Sequence, residues 1–211
     1  MCSSDLGFDW VDYGFASEGV VARLDLANAN GGAATGDTYD GIEALGGSSH
    51  ADLLVGNAGN NALSGELGDD TLIGGAGADT LWGWDGRDTA SYASATAGLI
   101  ADLAAAGRNT GDAAGDSFSD IENLRGSSYA DELVGDTGDN LLEGGPGADT
   151  LVGGAGFDTA GYGSETESVI ADLGAPAANL GAAAGDVYAS IEALTGGSGN
   201  DVLRGDAGAN R

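Results

Sequence analysis

A nine-residue unit anchored on glycine repeats in strict register along much of this chain, and that register leaves few folds open. GELGDDTLI from Gly65, GGAGADTLW from Gly74 and GWDGRDTAS from Gly83 follow one another without a gap. Units from Gly47 and Gly56 precede them in the same register. A second array starts at Gly126, Gly135, Gly144 and Gly153, and a third at Gly196 and Gly205. Glycine holds position one and usually four, Asp or Asn holds six, and an aliphatic residue holds eight. Repeats this short mark a solenoid, in which each unit buries its apolar side chain only against its neighbours.

A longer period lies over the short one. Tyr13, Tyr92 and Tyr162 each stand 29 residues before Ile42, Ile121 and Ile191, and each isoleucine opens an Ile-Glu-x-Leu string. The steps between copies are 79 and 70 residues, so they differ by one nonapeptide, which identifies the nonapeptide as the physical building block. Glu43, Glu122 and Glu192 then fall at position six of a degenerate unit, and Leu45, Leu124 and Leu194 at position eight. The expected organisation is irregular coils over 7–46, an array over 47–91, irregular coils over 92–125, an array over 126–161, irregular coils over 162–195 and an array over 196–211. Residues 1–6 read as a non-native leader, since Cys2 to Leu6 is what a sequencing-adapter stretch encodes, and both ends read as cut within a repeat. Val20–Leu24, Leu99–Leu103 and Val169–Leu173 are strand-like runs in the irregular segments.

The glycine-rich half of the unit allows positive φ and makes a sharp turn; the other half is a short strand with one side chain facing inward. Two units close an eighteen-residue coil, and stacked coils pair strands in parallel. The expected fold is all-β, a parallel β-roll with inward ladders such as Leu54 on Leu72 and Leu63 on Leu81. One aliphatic side chain per nine residues is a thin core. Glycine is 41 of 211 residues, against 2 prolines. The turns stack along both edges and bring their aspartates together, so the fold needs something to neutralise them.

There are 34 acidic residues against 6 arginines and no lysine, a net charge of −28. Carboxylates and turn carbonyls are hard oxygen ligands; converging, they suit Ca²⁺, which takes six to eight oxygens in flexible geometry, better than octahedral Mg²⁺. Zinc and softer metals prefer His or Cys, and the chain has only His50 and Cys2. Position-six residues on one edge lie eighteen apart, which gives the pairs Asp52–Asp70, Asn61–Asp79, Asp70–Asp88, Asp131–Asp149 and Asn140–Asp158. Asp201 is the equivalent residue of the third array. Pairs with Asn61 or Asn140 supply a neutral oxygen and should bind more weakly. Glu43–Asn61 and Glu122–Asn140 are poorer sites, because the longer side chain fits less well. The competing reading makes each position-six residue a turn cap bonded to its own backbone. Asp37, Asp116 and Asp186 lie outside the nonapeptides and are expected in solvated loops.

The units from Gly74 and Gly144 resemble the full RTX (repeats-in-toxin, haemolysin-type) nonapeptide, and the unit from Gly153 departs from it only at Ala160. Nine complete units stand in register, and clear units together carry the resemblance over a little under half of the chain. It implies a right-handed parallel β-roll with Ca²⁺ between turns. It also implies a bacterial protein exported by type I secretion, unfolded at low cytosolic calcium and folded outside the cell or at its surface.

Other functions find little footing. Nucleic acids and anionic membranes need a basic patch, and no stretch reaches the length of about 20 apolar residues that spans a bilayer. No His-Glu-x-x-His or Gly-x-Ser-x-Gly string is present, and the paired carboxylates recur with the repeat instead of standing out singly, so no enzyme is expected in this segment. His50 reads as a tolerated substitution at position four, and Trp82 and Trp84 as side chains covering the roll. Two roles remain: a structural or adhesive stalk stiffened by calcium, and a calcium-triggered folding and secretion module for an attached enzyme or toxin. The tandem cassettes favour the stalk. A flat ladder of Thr71, Thr80 and Thr89 would suit an ice- or mineral-binding face. Partners other than calcium, a secretion apparatus or a surface ligand, are not legible.

Overall fold

In the computed structural model the described residues are 2–3, 7–26 and 29–210. Met1, Ser4, Asp5 and Leu6 of the expected leader, Ala27 and Asn28 of the first irregular segment, and Arg211 lie outside them. The chain divides into two compact units, Met1–Ser91 with Asp112–Ile121 and Tyr92–Gly111 with Glu122–Arg211. The division passes through the middle irregular segment, 92–125.

The first unit is a parallel β-roll of two sheets. One sheet stacks Trp10–Asp12, Ala44–Gly46, Ala62–Leu67, Thr80–Asp85 and Ser117–Ser119, every neighbour parallel. The other stacks Val21–Arg23, Leu53–Val55, Thr71–Ile73 and Thr89–Ser91, again parallel. Register follows the repeat: Leu54 lies opposite Leu72, and Leu63 opposite Leu81, one coil apart. All four leucines are 0 % exposed. Because side chains alternate along a strand, the central residue of each three-residue strand turns inward, and its flanks lie further out.

The second unit repeats the plan. Asn123–Arg125, Leu141–Glu143, Thr159–Gly161 and Ala193–Thr195 form one parallel stack. Ile100–Asp102, Glu132–Val134, Thr150–Val152 and Val187–Ala189 form a second. Ile170–Asp172 pairs with Val202–Arg204. Leu133, Leu142 and Leu151 are fully buried, and so is Ala160, the one departure from an aliphatic at position eight of this array that the sequence shows.

The irregular segments are coils of the same rolls, as expected. Their strands take ordinary places in the stacks, and the extra length folds back beside them through the antiparallel bridges Val21–Gly31, Ile100–Thr110 and Ile170–Leu180. Short 3₁₀ turns such as Gly32–Ala34, Ala106–Arg108 and Pro176–Ala178 carry the surplus residues.

Two expectations change. Strands Ala62–Leu67 and Thr80–Asp85 run for six residues and pair through Glu66–Trp84 and Leu67–Asp85, where a turn was expected. Both Glu66 and Trp84 have positive φ, 76° and 70°, although neither is glycine. The threonines form no single ladder: Thr71 faces Thr89 on one sheet, while Thr80 lies on the other between Ala62 and Ser117. Successive units alternate between sheets, so a position-seven ladder draws on every second unit.

Candidate metal sites in the turn columns

The position-six residues stack as the eighteen-residue spacing requires. Asp52 donates its main-chain N–H to Asp70 Oδ1 at 2.8 Å, Asn61 to Asp79 at 2.8 Å, and Asp70 to Asp88 at 2.8 Å. In the second unit Asp131 donates to Asp149 at 2.9 Å and Asn140 to Asp158 at 2.8 Å. All nine of these side chains are buried, none more than 4 % exposed. Asp201 is only half-buried, and its Oδ1 accepts the Val169 N–H at 2.9 Å. A carboxylate beneath each amide thus ties one coil to the next.

The second oxygen divides the column into two kinds of turn. Asp52 Oδ2 accepts the Ser48 N–H, Asn61 Oδ1 the Asn57 N–H, Asp131 Oδ2 the Ser127 N–H and Asn140 Oδ1 the Asp136 N–H, each from position two of its own unit. The amides of Asn61 and Asn140 also donate to the Glu43 and Glu122 carbonyls. These four turns are self-capped. By contrast, Oδ2 of Asp70, Asp79, Asp88, Asp149 and Asp158 is buried with no hydrogen-bond partner. Position two in those five units is Glu66, Gly75, Trp84, Gly145 or Gly154, and all five have positive φ. A left-handed residue there turns its N–H away from the carboxylate and leaves the oxygen open.

An uncompensated buried carboxylate costs several kcal/mol and ordinarily takes up a proton instead. Burial pushes Asp70, Asp79 and Asp149 up to about 7, with neighbouring carboxylates adding to the effect, and raises Asp158 in the same direction. The position-one glycines show what else reaches these oxygens. A Cβ on Gly65 would lie 2.3 Å from Asp70 Oδ2 and 2.9 Å from the carbonyl oxygen of Gly83, one coil on. On Gly83 it would lie 2.5 Å from Asp88 Oδ2 and 1.9 Å from the Asp120 carbonyl oxygen. The turns at Gly65, Gly83 and Gly153 therefore direct a carboxylate oxygen and a carbonyl oxygen at one small space that only glycine leaves free, and the self-capped turns at Gly47, Gly56, Gly126 and Gly135 bring a side-chain oxygen and a carbonyl oxygen together in the same way. Hard oxygens of both kinds, with surplus negative charge, fit Ca²⁺.

Among the described residues no group of three His, Cys, Asp or Glu side chains converges as a metal cluster.

Asp116 and Asp186 were expected in solvated loops and instead complete the columns. They are 0 % and 1 % exposed, and their Oδ1 atoms accept the amides of Asp79 and Asp149 at 2.9 and 3.0 Å. Both stand 37 residues after their partners, two coils plus one residue, a spacing visible in the sequence. Asp37 does lie exposed, with Tyr13 Oη donating to it. Asp186 Oδ2 accepts the Tyr162 hydroxyl at 2.6 Å, so this carboxylate is satisfied without a cation. Trp84 is 57 % exposed with its Nε1 donating to Ser64 Oγ, and Trp82 is half-buried. Among the described residues no helix is long and apolar enough to cross a membrane.

No curated protein matches the chain. The RTX calcium-binding nonapeptide repeat family matches in four copies, over residues 46–81, 55–90, 125–160 and 189–211. The first three fall on the two arrays, and the fourth runs from the last Ile-Glu-x-Leu coil through the third array. Repeats of this family bind Ca²⁺, serve as structure and not as catalysts, and occur in secreted bacterial proteins. With a parallel β-roll carrying glycine-lined, carboxylate-bearing turns in the same register, these segments are RTX calcium-binding nonapeptide repeats.

Proposed function

We propose that the open turns are the calcium sites and that calcium completes the fold of this segment outside the cell. The observation that carries this reading is the set of buried Oδ2 atoms without partners on Asp70, Asp79, Asp88, Asp149 and Asp158. Bound Ca²⁺ supplies the positive charge that those oxygens lack. The self-capped Asp52, Asn61, Asp131 and Asn140 contribute to neighbouring sites through coil stacking and bind more weakly. Asp201 takes the same place at the third array. In this reading the segment is a stalk of a secreted or surface-attached bacterial protein, stiffened by calcium and stacked in cassettes. The recurrence of the long cassette, with the same Tyr, Asp and Ile-Glu-x-Leu landmarks, supports it.

Calorimetric calcium titration of Asp79→Asn and Asp52→Asn tests the assignment. Asp79→Asn is expected to remove or weaken a site by tenfold or more, while Asp52→Asn changes binding by a few-fold at most. Equal effects of the two substitutions would contradict the division into open and self-capped turns.

A further inference from the structure

The last carboxylate of the second array has a partner that the nonapeptide register does not supply. Asp158 is 0 % exposed, with Oδ2 buried and unpartnered. Its main-chain N–H donates to Glu192 Oε2 at 2.9 Å, and its carbonyl oxygen accepts the N–H groups of Glu192 and Ala193 at 3.0 Å each. The residue before Ile191 then turns its carbonyl inward. A Cβ on Gly153 would lie 2.0 Å from the Ser190 oxygen and 2.5 Å from Asp158 Oδ2, so both oxygens point at one space. Ser190 is held at φ 52°, a left-handed conformation disfavoured for a residue with a Cβ. Strain of this kind persists where the surrounding structure over-determines it, often at a ligand site.

The first unit repeats the hydrogen bonds of this clasp. Asp9 N–H donates to Glu43 Oε2 at 3.0 Å, Asp9 O accepts from Glu43 and Ala44, Asp9 Oδ2 is buried without a partner, and Gly41 before Ile42 has φ 62°. Asp9 and Glu43, like Asp158 and Glu192, are 34 residues apart.

We infer that the open turn at Asp158 and its counterpart at Asp9 are divalent-cation sites of a second kind, in which the terminal aspartate of a run, the glutamate of the Ile-Glu-x-Leu coil and, at Asp158, the carbonyl of the left-handed Ser190 hold one Ca²⁺. The glutamate serves the coil before it, not the asparagine after it. Its longer side chain fits because it reaches back to the amide of the aspartate. The inference rests on the reading of the open turns as calcium sites, and it extends that chemistry to residues outside the nonapeptides.

Calcium stoichiometry of the full 211-residue chain, measured by equilibrium dialysis, tests it with Glu43→Gln and Glu192→Gln. Glutamine keeps the acceptor for the aspartate amide and removes the charge. Each substitution is expected to lower the bound calcium by one ion, or to weaken one site by tenfold or more, with the far-UV β signal at saturating calcium retained. Unchanged stoichiometry and affinity in both variants would overturn the inference while leaving the open turns at Asp70, Asp79 and Asp149 intact. Absence of calcium binding by the unaltered chain would instead remove the reading on which it rests. Where a variant does not fold, anomalous scattering from a terbium-soaked crystal of the unaltered chain decides. A peak between Asp158, Ser190 and Glu192 supports the site, and peaks at the Asp70, Asp79 and Asp149 turns with none there overturn it.

Discussion

Asp149 donates its main-chain N–H to Asp186 Oδ1 at 3.0 Å across 37 residues, the bond that Asp131 makes to Asp149 across 18. A long irregular segment thus returns a carboxylate to the place a regular coil would have given it. There the second oxygen meets the Tyr162 hydroxyl, and that hydroxyl also lies 2.5 Å from Tyr188 Oη. The column ends in a hydrogen-bonded cap that needs no metal.

Tyr162→Phe removes the hydroxyl and leaves Asp186 Oδ2 buried and unmatched. Leaving a buried acceptor unsatisfied costs about 1–3 kcal/mol. The variant is expected to unfold at lower denaturant concentration at saturating calcium, which chemical denaturation followed by circular dichroism will show. An unchanged midpoint would mean that water or Tyr188 replaces the donor at no cost.

The buried carboxylates give the metal-free fold an acid preference. Asp70, Asp79 and Asp149 are pushed up to about 7 from an ordinary 3.8. A raised folded value means the folded state binds more protons than the unfolded one between those limits, so stability falls as pH rises. The contribution is fully present below about pH 4 and lost through about pH 7. In chelator, far-UV circular dichroism is expected to show more β signal at pH 5 than at pH 8. Calcium affinity should run the opposite way, falling on acidification as protons compete for the same oxygens.

Glycine at position one is required by space. Gly65→Ala puts a methyl group 2.3 Å from Asp70 Oδ2, whereas nothing lies within 4 Å of a Cβ on Gly107. Gly65→Ala is therefore expected to raise the calcium concentration needed for folding by tenfold or more, and Gly107→Ala to leave it within about twofold. Calcium titrations of the two variants side by side check this.

Leu142 is 0 % exposed and lies between Leu124 and Ala160 in its ladder. Truncating a buried leucine costs about 2–5 kcal/mol. Leu142→Ala should shift the calcium midpoint upward, because calcium must then offset the lost packing. Binding to a variant already folded by saturating calcium should keep its stoichiometry.

The roll itself was legible in the sequence because the nine-residue register fixes turn, strand and inward residue together. Leu54 on Leu72 and Asp52 on Asp70 follow from spacing alone. The two kinds of turn were harder to read. Ser48 and Gly75 occupy the same position, but the sign of φ there, which decides whether Oδ2 is capped, depends on the stacked coil as well as on residue type; Glu66 and Trp84 adopt the left-handed form without being glycine. Asp116 and Asp186 were misplaced because their spacing is 37 and not 18, a difference absorbed by the fold-back beside the strands. The glutamate pairs Glu43–Asn61 and Glu122–Asn140 followed the eighteen-residue register, which does not show that Glu43 reaches back to the Asp9 amide and Glu192 to the Asp158 amide.

Far-UV circular dichroism during a calcium titration from chelator into the millimolar range, with magnesium as the parallel control, tests the central claim most directly. Extracellular-type sites have affinities of roughly 10⁻⁴–10⁻³ M, and each adds stability as its occupancy rises. A cooperative gain of β signal at neutral pH with calcium and not with magnesium is the predicted result. A chain with its full β signal in chelator at pH 8, unchanged by calcium, would contradict it.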